Sequence, residues 1–265
     1  MKTFTISALT AVMALTSCNI TTDNGFPFSL TSKEGTGVIK NKVYNLSFDE
    51  IHVAQSISAE VVKANEEKVV VTAPSDILDD VLVENINGEL YIHFKPNLNI
   101  SARNVAVKIF AKDFSAIKAS SSAKITIKDQ FTQDKTDIEI SSSGSITGNL
   151  EANDVSLKAS SSGSYSGKIW AVNFDGKVSS SAYVTLSGKA KNATIAASSS
   201  GSFNAKEMIA ENADLKASSS GSVSLSVVND VSASASSSGG IDITRKGSLN
   251  VVSKNESSGG SVSIQ

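Results

Sequence analysis

The chain has one cysteine, one tryptophan, two histidines and two arginines among its 265 residues. With Cys18 alone there is no internal disulfide. With only His52 and His93 beside it, no Cys/His metal cage can form. Arg103 and Arg245 are the only guanidinium groups and the net charge is −2, so no basic stripe exists to neutralise phosphates. Nucleic acid is therefore not an expected partner. No Gly-rich loop leads into a lysine-bearing helix, and the Gly-Gly-x-Gly-x-Asp nonapeptide of calcium β-rolls is missing. Neither a cofactor nor a metal is expected. Aromatics make up only 6% of the chain, while serine and other small residues dominate from about Ser115 onward.

The first residues read as an export signal. Met1-Lys2 gives a positive start, and Phe4 to Leu15 is an apolar run too short to span a bilayer. The run ends Leu15-Thr16-Ser17-Cys18, which resembles a bacterial lipobox. Small residues fit the cleft of the processing peptidase, and the Cys18 thiol would carry the lipid. Each acyl chain then contributes about 0.8 kcal/mol per buried CH₂. The expected division is a signal at 1–17, a polar tether at 18–37 and a folded domain at 38–265. An exported protein, lipid-anchored in the bacterial envelope at the outer membrane or cell surface, follows from this reading.

What is abundant is a repeat. Ser-Ser-Ser triplets begin at Ser120, Ser141, Ser160, Ser179, Ser198, Ser218 and Ser236, with a degenerate copy at Ser257, spaced 18 to 21 residues apart. Around them the apolar residues keep one parity. Leu215, Ala217, Ser219, Gly221, Val223, Leu225 and Val227 share a face, and Lys216, Ser218, Ser220, Ser222 and Ser224 hold the other. Period two marks strands with one buried face, which a disordered Ser-rich tail would not keep. One strand per repeat cannot bury that face alone, whereas stacked repeats close a continuous core. The expected fold is all-β: a right-handed, single-stranded parallel β-helix with coils of about 20 residues over 115–265, rising about 4.8 Å per coil. A strand-rich section at 38–114 precedes it. A β-sandwich of hairpins fits less well, because Asn-Gly or Asp-Gly pairs are missing at each return. The parity places the middle serines Ser121, Ser142, Ser161, Ser180, Ser199, Ser219 and Ser237 in an inward column of small residues. It places Ser160, Ser162, Ser179, Ser181, Ser198, Ser200, Ser218 and Ser220 in an outward hydroxyl ladder, a candidate binding surface.

Before the triplets, Ile51–Ala54, Ser58–Lys63, Lys68–Thr72, Glu89–Phe94 and Val105–Phe110 read as strands. Asn87-Gly88 is a hairpin turn signal, and Pro74 to Asp80 is a break with room for one helical turn. The order Phe48-Asp-Glu-Ile-His-Val, Asn65-Glu-Glu-Lys-Val-Val-Val-Thr-Ala-Pro, Val83-Glu-Asn-Ile-Asn-Gly-Glu-Leu-Tyr-Ile and Ile117-Lys-Ala-Ser-Ser-Ser-Ala resembles the GIN domain of auto-transporter adhesin heads, common in lipoproteins of Bacteroidetes. The resemblance runs from about Val43 to Gln265. It implies a right-handed single-stranded β-helix and a cell-surface role, and it brings no catalytic motif. No autotransporter barrel is visible, so the lipid on Cys18 would serve as the anchor.

Enzymatic activity is not expected. A nucleophilic serine needs a base oriented by a third group, and His52 and His93 each alternate with apolar residues on a strand. Asp76, Asp79 and Asp80 read as loop or cap residues; Asp154, Asp175, Asp214 and Asp230 fit turn chemistry. Tyr165, Trp170, Tyr183 and Phe203 are the aromatics near the triplets, with inward or corner positions open to them. The expected partners are the membrane through the lipid anchor, a glycan or protein ligand on the solenoid wall, and further copies of the chain at the open end of the stack. A structural envelope protein and, more remotely, a polysaccharide-active β-helix are the alternatives.

Overall fold

The computed structural model describes residues 32–265. The signal, the lipidation site at Cys18 and most of the expected tether lie outside the described residues. The alternating sequence folds into strands β1 (Ile39–Tyr44), β2 (Glu50–Val53), β3 (Ser58–Lys63), β4 (Lys68–Pro74), β5 (Val81–Ile86), β6 (Glu89–Phe94), β7 (Ala106–Ala111), β8 (Ala116–Ala119) and β9 (Lys124–Ile127). The longer β10 (Phe131–Ile140), β11 (Ser145–Ala159), β12 (Ser164–Val178), β13 (Tyr183–Ala197), β14 (Ser202–Ala217) and β15 (Ser222–Ala235) follow, then β16 (Gly240–Arg245), β17 (Asn250–Glu256) and β18 (Ser261–Ile264). From β8 onward every pairing is parallel, coil upon coil, giving a β-solenoid of about 8 turns with about 19 residues per turn.

The core is built of columns. Ile125, Ile146, Tyr165, Val184, Phe203, Val223, Ile241 and Val262 lie in register through successive coils, and all are buried. A second column runs Leu90, Ile51, Ile117, Ile138, Leu157, Gly176, Ile195, Leu215. Gly176 breaks that column for a steric reason. A Cβ there would lie 2.6 Å from the Phe203 ring, which fills the space and meets Phe174 edge-on at 5.9 Å between centroids.

The triplets make the corners, and here the structure corrects the sequence reading. Ser121, Ser142, Ser161, Ser180, Ser199, Ser219 and Ser237 are exposed and form no inward column. Each, with the serine after it, adopts a left-handed backbone, for example φ 47° at Ser199 and 61° at Ser200. The next residue's N–H bonds back to the first serine, as Gly201 N–H does to the Ser198 carbonyl at 2.8 Å. This is a type I′ turn. Two inserted residues leave the odd-even count unchanged, so parity holds on both sides of a corner whose apex points outward. The small inward residues are the fourth members, Ala123, Gly144, Gly163, Ala182, Gly201, Gly221 and Gly239. The corners are also cross-linked between coils: Ser143, Ser162, Ser181 and Ser200 each donate N–H to the middle-serine carbonyl of the next coil, at 2.9–3.1 Å.

The section before the triplets belongs to the stack, out of chain order. The β2–β3 coil turns at Ala54-Gln55-Ser56-Ile57, with φ 57° and 60° at the two central residues, so it has the same corner without a triplet. It lies between β6–β7 on one side and β8–β9 on the other, all parallel. Antiparallel strands close that end: β5 on β6 through the Asn87-Gly88 turn, β4 on β7, and β1 on β4. Reversed strands blunt an edge that would otherwise template further pairing. The compact unit begins at Ser32, so the last residues of the expected tether are tied down. Asp76 accepts hydrogen bonds from the Thr36 and Gly37 N–H groups, Asp80 meets Lys33 and Lys95, and Asp79 meets Lys42.

Candidate functional site

Three surfaces carry chemistry. The first is the serine ridge. Ser162, Ser181, Ser200 and Ser220 are exposed, whereas Ser160, Ser179, Ser198 and Ser218 are half-buried at the start of each turn. The ridge is a convex corner, regular from coil to coil.

The second surface was not legible in the sequence. On the coils from β10 to β15 the chain turns again about ten residues after each triplet. An Asp/Asn ladder runs along this bend. Asn173 donates to Asp154 at 2.8 Å, Asn192 to Asn173 at 3.0 Å, Asn212 to Asn192 at 3.1 Å and Asn250 to Asp230 at 2.8 Å. Stacked side-chain amides continue the backbone ladder through the bend, which gives Asp154 and Asp230 a structural role. Beside the ladder, Ala152, Ala171, Ala190 and Ala210 lie in register. Because alanine is small, the wall is recessed there into a groove of about 1360 Å³. One rim runs Thr132, Glu151, Trp170, Lys189, Ile209, and the other runs Asp134, Asn153, Val172, Lys191, Glu211. The groove extends from Asp113–Ser115 to Val228–Asn229, seven coil levels and so about 29 Å at 4.8 Å each. Carboxylates (Asp49, Asp113, Asp134, Glu151) outnumber the one ammonium, Lys135, at one end, and Lys189 and Lys191 lie past the middle, before Glu211. Trp170 stands between them with the Lys168 ammonium 4.2 Å from its ring centre. A hydrophobic pair, Val172 and Ile209, is exposed alongside.

Of the four aromatics singled out, Tyr165 and Phe203 are core residues, Tyr183 is exposed after its corner, and Trp170 lines the groove. Tyr165 Oη donates to the Gly148 carbonyl at 3.0 Å, and burial pushes its pKa up. Gly188 must be glycine: its φ is 116°, and a Cβ would run into the Ile169 carbonyl of the coil below.

The third surface is a polar cluster on the wall formed by β6, β2 and β8. His52 stacks on Tyr91 and Tyr91 on His93, with centroids 4.6 and 4.1 Å apart. His93 is buried, its ring nitrogens facing the Phe94 carbonyl at 2.8 Å and Glu84 at 2.9 Å. His52 Nε2 lies 3.0 Å from Ser120 Oγ, and its Nδ1 lies 3.4 Å from Glu89 Oε1. Lys118 bridges Glu50 at 2.7 Å and Glu89 at 2.5 Å. Burial lowers the His52 pKa, outweighing the Glu89 carboxylate that pulls it up. Burial also acts to raise the Glu89 pKa, but the hydrogen bond and charge of Lys118 and the contact with His52 bring it below the usual carboxylate value. For Lys118, desolvation is overcome by the two carboxylates, and its pKa rises. Among the described residues there is no group of His, Cys, Asp and Glu able to hold a metal ion, and no helix long and apolar enough to cross a membrane.

Comparison with known proteins places this architecture. The solenoid superposes on a protein described as a putative adhesin from Parabacteroides distasonis with a TM-score of 0.78 at 19% identity, over 89% of this chain and 100% of that one. A putative adhesin from Parabacteroides merdae gives 0.77 at 17% identity, over 88% and 99%. A putative lipid binding protein from Parabacteroides distasonis gives 0.68 at 19% identity, over 89% and 100%. At these identities the likeness is one of fold. No curated protein matches the sequence significantly. The family described as "Putative auto-transporter adhesin, head GIN domain" matches residues 47–247, most of the described solenoid. The chain belongs to this GIN-domain family of adhesin heads, whose members are cell-surface or envelope proteins.

Proposed function

We propose that the protein is a lipid-anchored envelope adhesin that holds an extended glycan along the groove beside the Asp/Asn ladder. The observation that carries this reading is the groove itself: about 29 Å long, recessed over alanines, with Trp170 midway between its mainly acidic end and the Lys189–Lys191 pair. An indole offers a sugar ring a flat apolar face, and the flanking carboxylates and ammonium groups supply hydrogen-bond partners for hydroxyls. The convex serine ridge, by contrast, encloses nothing. Ser162, Ser181, Ser200 and Ser220 keep their role as a second contact surface only if the ligand is broad. The anchor in this reading is the acylated Cys18.

Trp170 is the only tryptophan, so its emission reports directly on the groove. Binding is first scored on a glycan array, and hits are then titrated while tryptophan fluorescence is followed. A saturable emission change, lost together with binding in Trp170→Ala, is expected. Array binding that leaves Trp170 emission unchanged and survives Trp170→Ala would remove the groove from the proposal. Cys18→Ala should release the protein from membranes; retention in the membrane fraction would remove the anchor. Protease shaving of intact cells tests the outward face, because a protein cut only after lysis cannot act as an adhesin.

A further inference from the structure

We propose that Ser120 is an activated nucleophile, with His52 as its base and Glu89 as the positioning carboxylate, and that this site cleaves short-chain carboxylic esters. The sequence contains dozens of serines but only two histidines. The out-of-order stacking of β2 between β6 and β8 brings one of those histidines to the first serine of the first triplet. His52 Nε2 is 3.0 Å from Ser120 Oγ, and His52 Nδ1 faces Glu89 Oε1 at 3.4 Å. That is the order of groups that nucleophilic acyl transfer requires: hydroxyl, imidazole, carboxylate. The carboxylate beside Nδ1 favours the tautomer with a proton there, which leaves Nε2 free to accept one from Ser120. Lys118 bridges Glu89 and Glu50 and fixes the carboxylate in place. Side-chain exposures of 23% for His52 and 25% for Glu89 leave the group reachable from solvent.

The backbone adds a second element. Ser120 directly follows the β8 strand and precedes the left-handed pair Ser121 (φ 50°) and Ser122 (φ 64°), so the chain turns sharply just after it. Among the described residues the Ser121 N–H has no hydrogen-bond partner. An unpaired N–H on the residue after a nucleophile is a donor of the kind that holds an oxyanion. The corner geometry is the same at Ser141, Ser160, Ser179, Ser198, Ser218 and Ser236. None of these has a histidine, because His93 is engaged with Glu84 and the Phe94 carbonyl. The protein thus carries six built-in controls for one activated copy.

The chemistry closes without a further reagent. Ser120 Oγ bonds to the ester carbonyl carbon while its proton passes to His52 Nε2, and the carbonyl electron pair moves onto oxygen, facing the Ser121 N–H. The intermediate collapses by breaking the bond to the alcohol oxygen, which takes the proton from His52 and leaves as the free alcohol. Water then attacks the acyl-serine, giving its proton to His52, and the carboxylic acid departs as Ser120 recovers its proton. Ester and water become acid and alcohol. The wall around Ser120 is sheet surface, and the groove described above is lined by other residues. An acetyl-sized acyl group suits such a surface better than a long chain.

The test treats the full-length protein with a fluorophosphonate probe, maps the modified serine by peptide mass spectrometry, and follows p-nitrophenyl acetate hydrolysis. Modification confined to Ser120 is expected, with Ser141 and Ser160 untouched. His52→Gln should slow both reactions by about 10²-fold or more, while Ser141→Ala leaves them unchanged. Glu89→Gln should slow them about tenfold and move the acid limb of the pH–rate profile, where His52 becomes protonated, to lower pH. Removing that carboxylate takes away the charge that raises the His52 pKa, against Lys118, Glu50, Tyr91, His93 and Glu84, which remain around it. A purely structural Glu89 would leave the profile in place. Wild-type protein in which Ser120 stays unmodified, or in which all triplets are modified alike, overturns the proposal. So does a folded His52→Gln that reacts at the wild-type rate. Mapping on wild-type protein decides the matter even where a variant fails to fold. It is independent of glycan binding in the groove.

Discussion

Substitution of Ser199 tests the corner geometry quantitatively. Ser199 sits at φ 47°, and its side chain is exposed, with Ser181 N–H bonded to its carbonyl at 3.1 Å. A left-handed L-residue costs about 1–2 kcal/mol from crowding between Cβ and the following carbonyl. Ser199→Gly removes that cost and adds back about 0.5–1 kcal/mol of backbone entropy, a net gain of about 0–1.5 kcal/mol, or about 1 kcal/mol near the middle of the range. Ser199→Asn keeps a side chain that tolerates the left-handed region and should be neutral or slightly stabilising. Ser199→Val forces a β-branched residue into that region and should cost about 2 kcal/mol or more. The span from Gly to Val is then about 3 kcal/mol, or about 6–12 °C at 2–4 °C per kcal/mol for a chain of this size. Urea and thermal unfolding, followed by circular dichroism and by Trp170 emission, would read it. An inward Ser199 predicts the reverse order, since glycine would leave a void in the core and valine would bury apolar surface. Glycine less stable than valine would refute the corner geometry.

Tyr165→Phe leaves the Gly148 carbonyl without its partner in the core, and a loss of about 1–2 kcal/mol is expected in urea midpoints. Asn192→Ala removes one bond given to Asn173 and one received from Asn212; exposure limits the cost to about 1 kcal/mol, and an unchanged midpoint would make the ladder decorative. Acid should weaken the fold in two stages. His52, whose folded pKa is lowered, opposes folding once the pH falls below its unfolded value of about 6.5, so denaturation midpoints should fall toward pH 5 and His52→Gln should flatten that decline. Glu89, Asp76 and Asp79, all lowered, contribute stability above their unfolded values that disappears as the pH falls further; for Asp76 the cause is the Thr36 and Gly37 N–H groups, and for Asp79 it is Lys42.

The fold was legible because period two survives each corner. The same property concealed the orientation of the middle serines: a two-residue left-handed turn and an uninterrupted strand give the same parity, and only backbone dihedrals separate them. Gln55-Ser56 makes the same turn without a triplet, so the sequence showed strands before Ser120 but not that they form a coil. Nor did it show that β6–β7 slips beneath β2–β3. The alanine floor and the Asp/Asn ladder were present as letters at intervals of 19 to 20 residues. They were masked by the louder serine signal and by the unlike residues beside them. His52 and Ser120 stand 68 residues apart in the chain, and nothing local to either position announces the other. Asn87-Gly88 and the turn at Leu78–Asp80 were legible because their chemistry is local.

A stacked repeat also separates what the fold requires from what it permits. The corner must recur, because each coil bonds to the next through it, and between Ser120 and Gly239 it does recur as Ser-Ser-Ser-Gly/Ala. The inward columns stay largely apolar and vary chiefly in size, as when Gly176 yields to Phe203; Thr136, in register with Val155, is buried but takes a hydrogen bond from Gln133. The groove rims obey neither demand. Glu151, Trp170, Lys189 and Ile209 occupy one column in four successive coils, and they share no charge, size or polarity. The outward ladder position repeats far more closely; Asp154, Asn173, Asn192, Asn212, Asp230 and Asn250 stay Asp or Asn from coil to coil. Solvation alone is met by such a repeating choice, so it does not account for a column that changes character at each step. A ligand lying along the axis would meet a different side chain every 4.8 Å or so, and a column with that property can read sequence or substitution along a polymer. Exchanging Lys189 and Glu151 keeps the composition and net charge of the rim but reverses its order. Stability should be unchanged, and the ligand preference on the array should change. Unaltered preference would mean that the rims only line the groove.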